Sequence, residues 1–289
     1  MKRADRHDAG KRRLRRFVLA AALGTFLLVG FVASTSAFMC IKSSAGSHPC
    51  IHWSTGQARM KSFLGSPGRT LLNGTTTWDQ NAVNAANDWN ALGNTFHFDV
   101  ATGGSFFNPC GSQGGNHACD NTGPNGDNPI FFAADFCGNG FGDIIELTNN
   151  CYSPDSGAMI NAPVFVNSNV LWNAYDGAIQ VDINNVVVYD IRRVLLHELG
   201  HVLGLDHPDD YGQHVNAIMN SHVSNLDRLQ PDDINGMFSI YPSGGSSSQS
   251  PAPTSGCEMT TPASSPPMVF MLAAVFVVVR FKKRSNTEH

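Results

Sequence analysis

Apolar residues recur at helical spacing in three stretches of the chain, and each stretch begins with a helix start signal. Thr77 is a predicted N-cap, and the side chain of Gln80 would bond back to it to complete a capping box. Gly93 is expected to end that helix. Asp190 is expected to cap a second helix, and Pro231 suits the first turn of a third. The first helix would bury one face, formed by Trp78, Ala82, Ala85, Trp89 and Leu92.

Short apolar runs bounded by turn residues predict strands around the first helix and before the second. We expect strands at 49–53, 96–100, 130–134 and 164–167. Residues 101–128 hold seven Gly and five Asn, too long a stretch for an ordinary connection, so this loop needs tethers. A strand, a helix, several strands and two further helices, in that order, predict an α+β domain.

The second helix carries the residues with the most specific chemistry. From His197 the chain reads His-Glu-Leu-Gly-His-Val-Leu-Gly-Leu-Asp-His. His197 and His201 lie one turn apart on one helical face, where both can bind one metal ion, and Glu198 projects beside them. Gly204 can adopt the left-handed conformation that ends a helix, which would return the chain and bring His207 to the metal. The spacing predicts a zinc site with three histidine ligands and one position for water.

Ordinary buried histidines are the alternative interpretation of this string. The string fixes five identities in a chain with eleven His and four Glu. Its chance frequency is below roughly one in ten thousand, which favours the metal site.

The same string resembles the signature of the metzincin metallopeptidases, in which a methionine turn follows beneath the metal. Met219, twelve residues after His207, is the candidate for that turn, with ordinary core packing as its alternative. Within this group the chain resembles the matrixins, because residues 229–241 are similar to their closing helix. The resemblance covers most of residues 45–242. It implies a metzincin-type zincin domain with a twisted mixed β-sheet, a zinc-binding active-site helix and a C-terminal helix.

The resemblance implies a secreted or surface-attached zinc endopeptidase that hydrolyses peptide bonds in extracellular proteins. Zinc on the three histidines would activate a water, and Glu198 would take its proton as general base. Ser221 stands where astacins and serralysins place a metal-reaching tyrosine, so a fifth protein ligand is not expected. The chain lacks a Pro-Arg-Cys-Gly segment, so latency of the cysteine-switch kind is not supported.

Two rival functions remain open at this point. A catalytically silent, metal-stabilised binding or adhesion protein is disfavoured by Glu198, because a structural zinc usually has four protein ligands and needs no base. The second rival function is that of a zinc hydrolase that acts on a non-peptide substrate. The expected partners are protein or peptide substrates, and the expected assembly is a monomer.

The net charge of the whole chain is small, but its middle part, the acidic body, carries a large excess of acidic residues. Between residues 17 and 279 there are seven Lys and Arg against twenty Asp and Glu. Such a surface repels phosphate backbones, so nucleic acid is not an expected partner. Calcium is a plausible second cofactor, and Asp120 and Asp127 are its candidate ligands, although the spacing lacks the EF-hand order. A solvated loop is the alternative.

Both ends of the chain differ in composition from the middle. Residues 1–37 read as a secretory signal peptide, with an uncleaved anchor as the alternative. The catalytic domain would then span 38–242, followed by a Ser/Pro/Gly-rich linker over 243–267. The apolar run in 268–289 is too short for a comfortable span and ends in a basic tail. It resembles bacterial C-terminal sorting signals, with a membrane anchor as the alternative, so attachment through this tail is either transient or permanent.

Six cysteines lie before the zinc helix and none shows the paired spacing of a zinc knuckle. Disulfides in an exported protein are the better interpretation. Fifteen pairings are possible, and the simplest closes short loops between neighbours: Cys40 with Cys50, Cys110 with Cys119, and Cys137 with Cys151.

Overall fold

The structure, a computed structural model, describes residues 38–43, 50–110 and 123–243, together with the backbone of the short strand at 277–278. The expected signal peptide and almost all of the expected linker and tail lie outside the described residues. Among the described residues, no helix combines the length and the apolar character needed to cross a membrane.

All three predicted helices are present. They are α1 (Trp78–Asn90), α2 (Ile191–Leu203) and α3 (Pro231–Ile240). The Thr77 hydroxyl caps α1 by accepting a hydrogen bond from the Gln80 amide at 3.1 Å. The Asp190 carboxylate caps α2 by accepting from the amides of Arg192 and Arg193. The start signals were therefore read correctly, whereas α1 ends at Asn90 rather than at the predicted Gly93.

The described strands are mostly short. They are β1 (Met39–Cys40), β2 (Gln57–Ser62), β3 (His97–Thr102), β4 (Asn128–Ala133), β5 (Glu146–Tyr152), β6 (Met159–Asn161), β7 (Val164–Asn167), β8 (Leu171–Asn173), β9 (Gln180–Val181), β10 (Val187–Asp190), β11 (Leu205–Asp206) and β12 (Val277–Val278).

The main sheet is mixed, as expected for the α+β class. Its strand order is β12-β5-β7-β4-β2-β3, and β6 also pairs with β5. Strands β3, β2, β4 and β7 are mutually parallel, while β5 runs antiparallel to β7. Two smaller sheets accompany it, with the orders β8-β10-β9 and β1-β11. The α+β prediction is confirmed.

The strand predictions were only partly correct. The expected strands at 96–100, 130–134 and 164–167 are β3, β4 and β7, but the one expected at 49–53 reduces to a single bridge from His52 to Ala158. Strand β5 was missed because its sequence, Glu-Leu-Thr-Asn-Asn-Cys-Tyr, is largely polar although every residue is buried. Burial of such a strand requires hydrogen-bond partners, and two of its polar side chains find them on α2.

Packing between α1 and α2 fixes the position of the helix that carries the His-Glu-x-x-His string. Ala82, Ala85 and Trp89 of α1 are fully buried, as the predicted apolar face requires. The Trp89 indole donates a hydrogen bond to the carbonyl oxygen of Leu196 at 3.0 Å. This bond and the small alanine side chains hold α2 closely against α1.

The disulfides confirm one predicted pair and correct two. Cys40 is bonded to Cys50, as predicted. Cys110 is bonded to Cys137, so the predicted pairs of Cys110 with Cys119 and Cys137 with Cys151 are wrong. Cys151 is also disulfide-bonded. The pairing that closes the shortest loops is wrong here because Cys110 and Cys137 meet in an aromatic cluster. This cluster includes Phe131, Phe136 and Phe165.

Replacing Cys137 with Ala should lower the free energy of unfolding by about 3 kcal/mol, because the bond closes a loop with a sequence separation of 27 residues. Urea unfolding measures the difference. Peptide mapping without reductant provides the control: recovery of a Cys110–Cys119 peptide from the wild type would contradict this pairing.

Candidate metal centre and active site

Three histidine side chains converge at the carboxyl end of α2. The Nε2 atoms of His197 and His201 are 3.0 Å apart, and the Nε2 atom of His207 lies 3.2 Å and 3.1 Å from them, respectively. Three nitrogens bound tetrahedrally to zinc at its usual bond length would be about 3.3 Å apart. All three residues are buried, and as a group they could hold one metal ion. The ligand set predicted from the sequence is therefore brought together.

Gly204 makes this convergence possible by ending α2 with a left-handed turn. Its φ angle is 104°, a value that side chains rarely tolerate. A Cβ atom at this position would lie 2.4 Å from the carbonyl oxygen of Ile51, so the chain also passes too close for any side chain. After the turn, β11 pairs with β1 and leads directly to His207.

Each imidazole is oriented through its other ring nitrogen. Nδ1 of His197 lies 2.7 Å from the carbonyl oxygen of Ile218, and Nδ1 of His201 lies 2.8 Å from that of Leu205. Since a carbonyl oxygen can only accept, these Nδ1 atoms carry the proton, and each Nε2 is the nitrogen that would bind a metal. The Nδ1 atom of His207 faces the carboxylate of Asp210 at 3.1 Å.

Burial keeps the first two imidazoles neutral. It lowers the pKa of His197 and of His201 well below the usual value, and the neighbouring histidines lower both further. Metal binding requires neutral imidazole, so the site is held in its binding form without a bound ion.

Glu198 is buried beside the histidines and contacts β5. The Thr148 hydroxyl lies 2.6 Å from its Oε2 atom, and the backbone N–H of Thr148 also hydrogen-bonds the carboxylate. Burial raises the pKa of Glu198 to about 8, and the hydrogen bond from Thr148 opposes the rise. Glu146 lies on the same strand, and burial, followed by the charge of Glu198, raises its pKa well above the ordinary value.

Comparison with known proteins agrees with this geometry. The matrixin family model of M10 peptidases matches residues 67–242, which is more than half of the chain. The chain belongs to the matrixin family. No curated protein matched it. Family membership makes this matrixin a zinc metallopeptidase, and its three buried imidazole nitrogens suit that ion in number, kind and spacing.

Met219 of this matrixin is buried against the helix that carries the first two histidines. A Cβ atom on Gly200 would lie 2.2 Å from the Met219 sulfur, so only glycine allows this contact. The preceding residue, Ile218, supplies the carbonyl oxygen that orients His197. The segment around Met219 therefore packs against α2 and orients one histidine, while its identification as a Met-turn stays a prediction.

Asp233 of α3 holds that segment in place. Its carboxylate accepts hydrogen bonds from the amides of Ile218 at 3.0 Å, Met219 at 3.1 Å and Gln230 at 2.7 Å. Burial raises the pKa of Asp233 to about 6, and these amide donors counteract part of the rise. Ser221, further along the segment, is hydrogen-bonded to Asp209 at 2.7 Å.

The predicted calcium ligands are not brought together in the described part of the matrixin. Asp127 is buried and forms an ion pair with Arg59 at 3.2 Å, which already uses part of its carboxylate. Asp120 lies outside the described residues. The calcium site stays a prediction.

Sequence reasoning missed four acidic or hydroxyl side chains around the site: Glu146, Thr148, Asp210 and Asp233. Asp210 and Asp233 carried a weak signal, since one follows the third histidine by three positions and the other lies in the first turn of α3. Glu146 and Thr148 carried no such signal, because no local sequence pattern indicates that β5 packs against α2.

Replacing Asp233 with Ala should lower the free energy of unfolding by about 2–4 kcal/mol, because three backbone amides lose their shared acceptor. Chemical denaturation measures the loss. The Asp233→Asn variant is the matched control, since it keeps one acceptor oxygen and should lose less. Wild-type stability in Asp233→Ala would show that the carboxylate does not hold the segment.

Proposed function

We propose that this matrixin is a zinc-dependent endopeptidase in which His197, His201 and His207 hold the metal and Glu198 is the general base. The observation that carries the proposal is the approach of three Nε2 atoms to within 3.0–3.2 Å of one another, with a buried carboxylate on the next residue of the same helix. A zinc site with three protein ligands and an adjacent base is the arrangement of a catalytic site.

Zinc bound at this position would polarise the scissile carbonyl and lower the pKa of a water molecule towards neutrality. The chain would supply the proton transfer. Glu198 accepts the proton of the attacking water at Oε1, the oxygen that the Thr148 hydroxyl does not contact, and delivers it to the leaving amine.

The substrate is proposed to bind as an extended peptide along the outer edge of β5. One edge of β5 pairs with β7, whereas its outer edge pairs with the two-residue strand β12 at Asn149 and Asn150. That edge therefore has the backbone geometry to accept an antiparallel segment. Thr148 and Asn150 of the same strand contact Glu198 and the carbonyl oxygen of His201, respectively, so a peptide on this edge lies beside the active-site helix.

A cavity next to the histidine cluster gives room for substrate side chains. Its volume is about 590 Å³, and its lining includes Asp143, Asp210, Ser221 and His222. Asp210 also contacts His207, so one residue of the cavity lining touches the histidine cluster, which supports the proposal. Pockets of this size accommodate small ligands or a few side chains.

The place of action is proposed to be extracellular, with transient or permanent attachment through the tail at 268–289. Two disulfides in the described residues support an oxidising compartment. Proteins or peptides are the proposed substrates, the proposed assembly is a monomer, and the acidic body argues against nucleic acid.

The Glu198→Gln variant should lose peptide cleavage by a factor of about 100 or more while binding zinc normally, because only the base is removed. Cleavage of a mixed peptide pool by the full-length protein, followed by mass spectrometry and metal analysis, measures both properties. Retained turnover in Glu198→Gln would exclude its role as base.

Replacing His207 with Ala should instead reduce zinc content together with activity, because a ligand nitrogen is lost. Chelation of the wild type is the matching control and should abolish cleavage reversibly. Unchanged zinc content in His207→Ala would contradict its assignment as a ligand.

A further inference from the structure

Strand β5 contributes a polar side chain directly to the catalytic carboxylate. Thr148 is fully buried, and its hydroxyl oxygen lies 2.6 Å from Oε2 and 3.2 Å from the backbone carbonyl oxygen of Glu198. Both neighbours are hydrogen-bond acceptors, so the single hydroxyl proton goes to the closer one, the carboxylate. The O–O distance lies in the range of a good hydrogen bond between a hydroxyl and a carboxyl oxygen.

This bond fixes which carboxylate oxygen can move a proton. Oε2 is tethered to β5 by the Thr148 hydroxyl, whereas Oε1 is the oxygen that this hydroxyl does not hold. A glutamate side chain has several rotatable bonds, and ordering it without a tether costs conformational entropy. The tether also spans two elements, since Thr148 lies in the sheet and Glu198 lies in α2.

The backbone N–H of Thr148 also stabilises the carboxylate of Glu198 by hydrogen bonding. The neighbouring acidic side chain, Glu146, is fully buried on the same strand, and neither of its oxygens has a hydrogen-bond partner among the described residues. Two carboxylates in one buried region repel each other when both are charged. Without the Thr148 hydroxyl, the Glu198 carboxylate would lose its side-chain hydrogen bond to β5.

We propose that Thr148 is a positioning residue for the peptidase reaction, and that its hydroxyl holds Oε2 of Glu198 so that Oε1 faces the water and the leaving amine. This inference rests on the proposed function, because it assigns a task to Thr148 only if Glu198 is the base. Thr148 itself touches neither substrate nor metal in this role.

The kinetic test compares Thr148→Val, which is nearly isosteric but lacks the hydroxyl, with Thr148→Ser, which keeps it. In the full-length, zinc-loaded protein, Thr148→Val should lower kcat per bound zinc by 10–100-fold, with KM and zinc content within about twofold of the wild type. Thr148→Ser should recover kcat to within about threefold of the wild type. If Thr148→Val does not fold, the smaller Thr148→Ala variant takes its place in the comparison.

A purely structural role gives a different pattern. In that case Thr148→Val would lose activity only in proportion to its zinc content or folded fraction, and kcat per bound zinc would stay within twofold of the wild type. Either that pattern or an equal loss in Thr148→Ser would overturn the proposal.

A spectroscopic test separates this inference from the proposed function. The chain contains only four Glu, so the side-chain carboxyl carbon of Glu198 in ¹³C-Glu-labelled, metal-free protein can be assigned by its loss in Glu198→Gln. Thr148→Val should shift this resonance at fixed pH, and Thr148→Ser should restore it. An unchanged resonance in Thr148→Val would refute the contact. If the contact is present but the wild type cleaves no peptide, the proposed function fails, and with it the task assigned to Thr148.

Discussion

The structure depends above all on holding three buried imidazoles close together. Each ring must present Nε2 to one point, and each buried polar ring needs a partner for its other nitrogen. Two backbone carbonyl oxygens and one carboxylate meet that need, from Ile218, Leu205 and Asp210. Because these partners come from three different segments after α2, the return of the chain at Gly204 and the path of the following loop are both set by the metal centre.

The supports of the centre form a chain of contacts across the domain. The Trp89 indole of α1 fixes the position of α2 through a hydrogen bond to the carbonyl oxygen of Leu196. Gly200 allows Met219 to pack directly on α2, and Asp233 of α3 holds the amide of Met219. A change in α3 would therefore reach the histidines through backbone hydrogen bonds, although α3 itself contributes no metal ligand.

On its other side, α2 contacts buried polar side chains. There the active-site helix faces β5, whose buried polar residues would be costly without partners. Thr148 and Asn150 find partners on the helix, while Glu146 does not among the described residues. The strand thus combines two features: its Thr148 side chain contacts the carboxylate of Glu198, and its outer backbone edge pairs with an antiparallel segment. Buried polar groups with these contacts explain why a strand of this composition lies in the core.

The sequence by itself determined the metal centre and its helix, because both are local. Helical geometry alone places His197, His201 and Glu198. Gly204 then ends the helix, and His207 follows three residues later. The same holds for the caps at Thr77 and Asp190. Only the tertiary structure decided the cysteine pairing, since an aromatic cluster rather than loop length brings Cys110 to Cys137. It also decided the role of β5, because a polar strand can be buried only where another element supplies its hydrogen bonds, and no local pattern encodes that element.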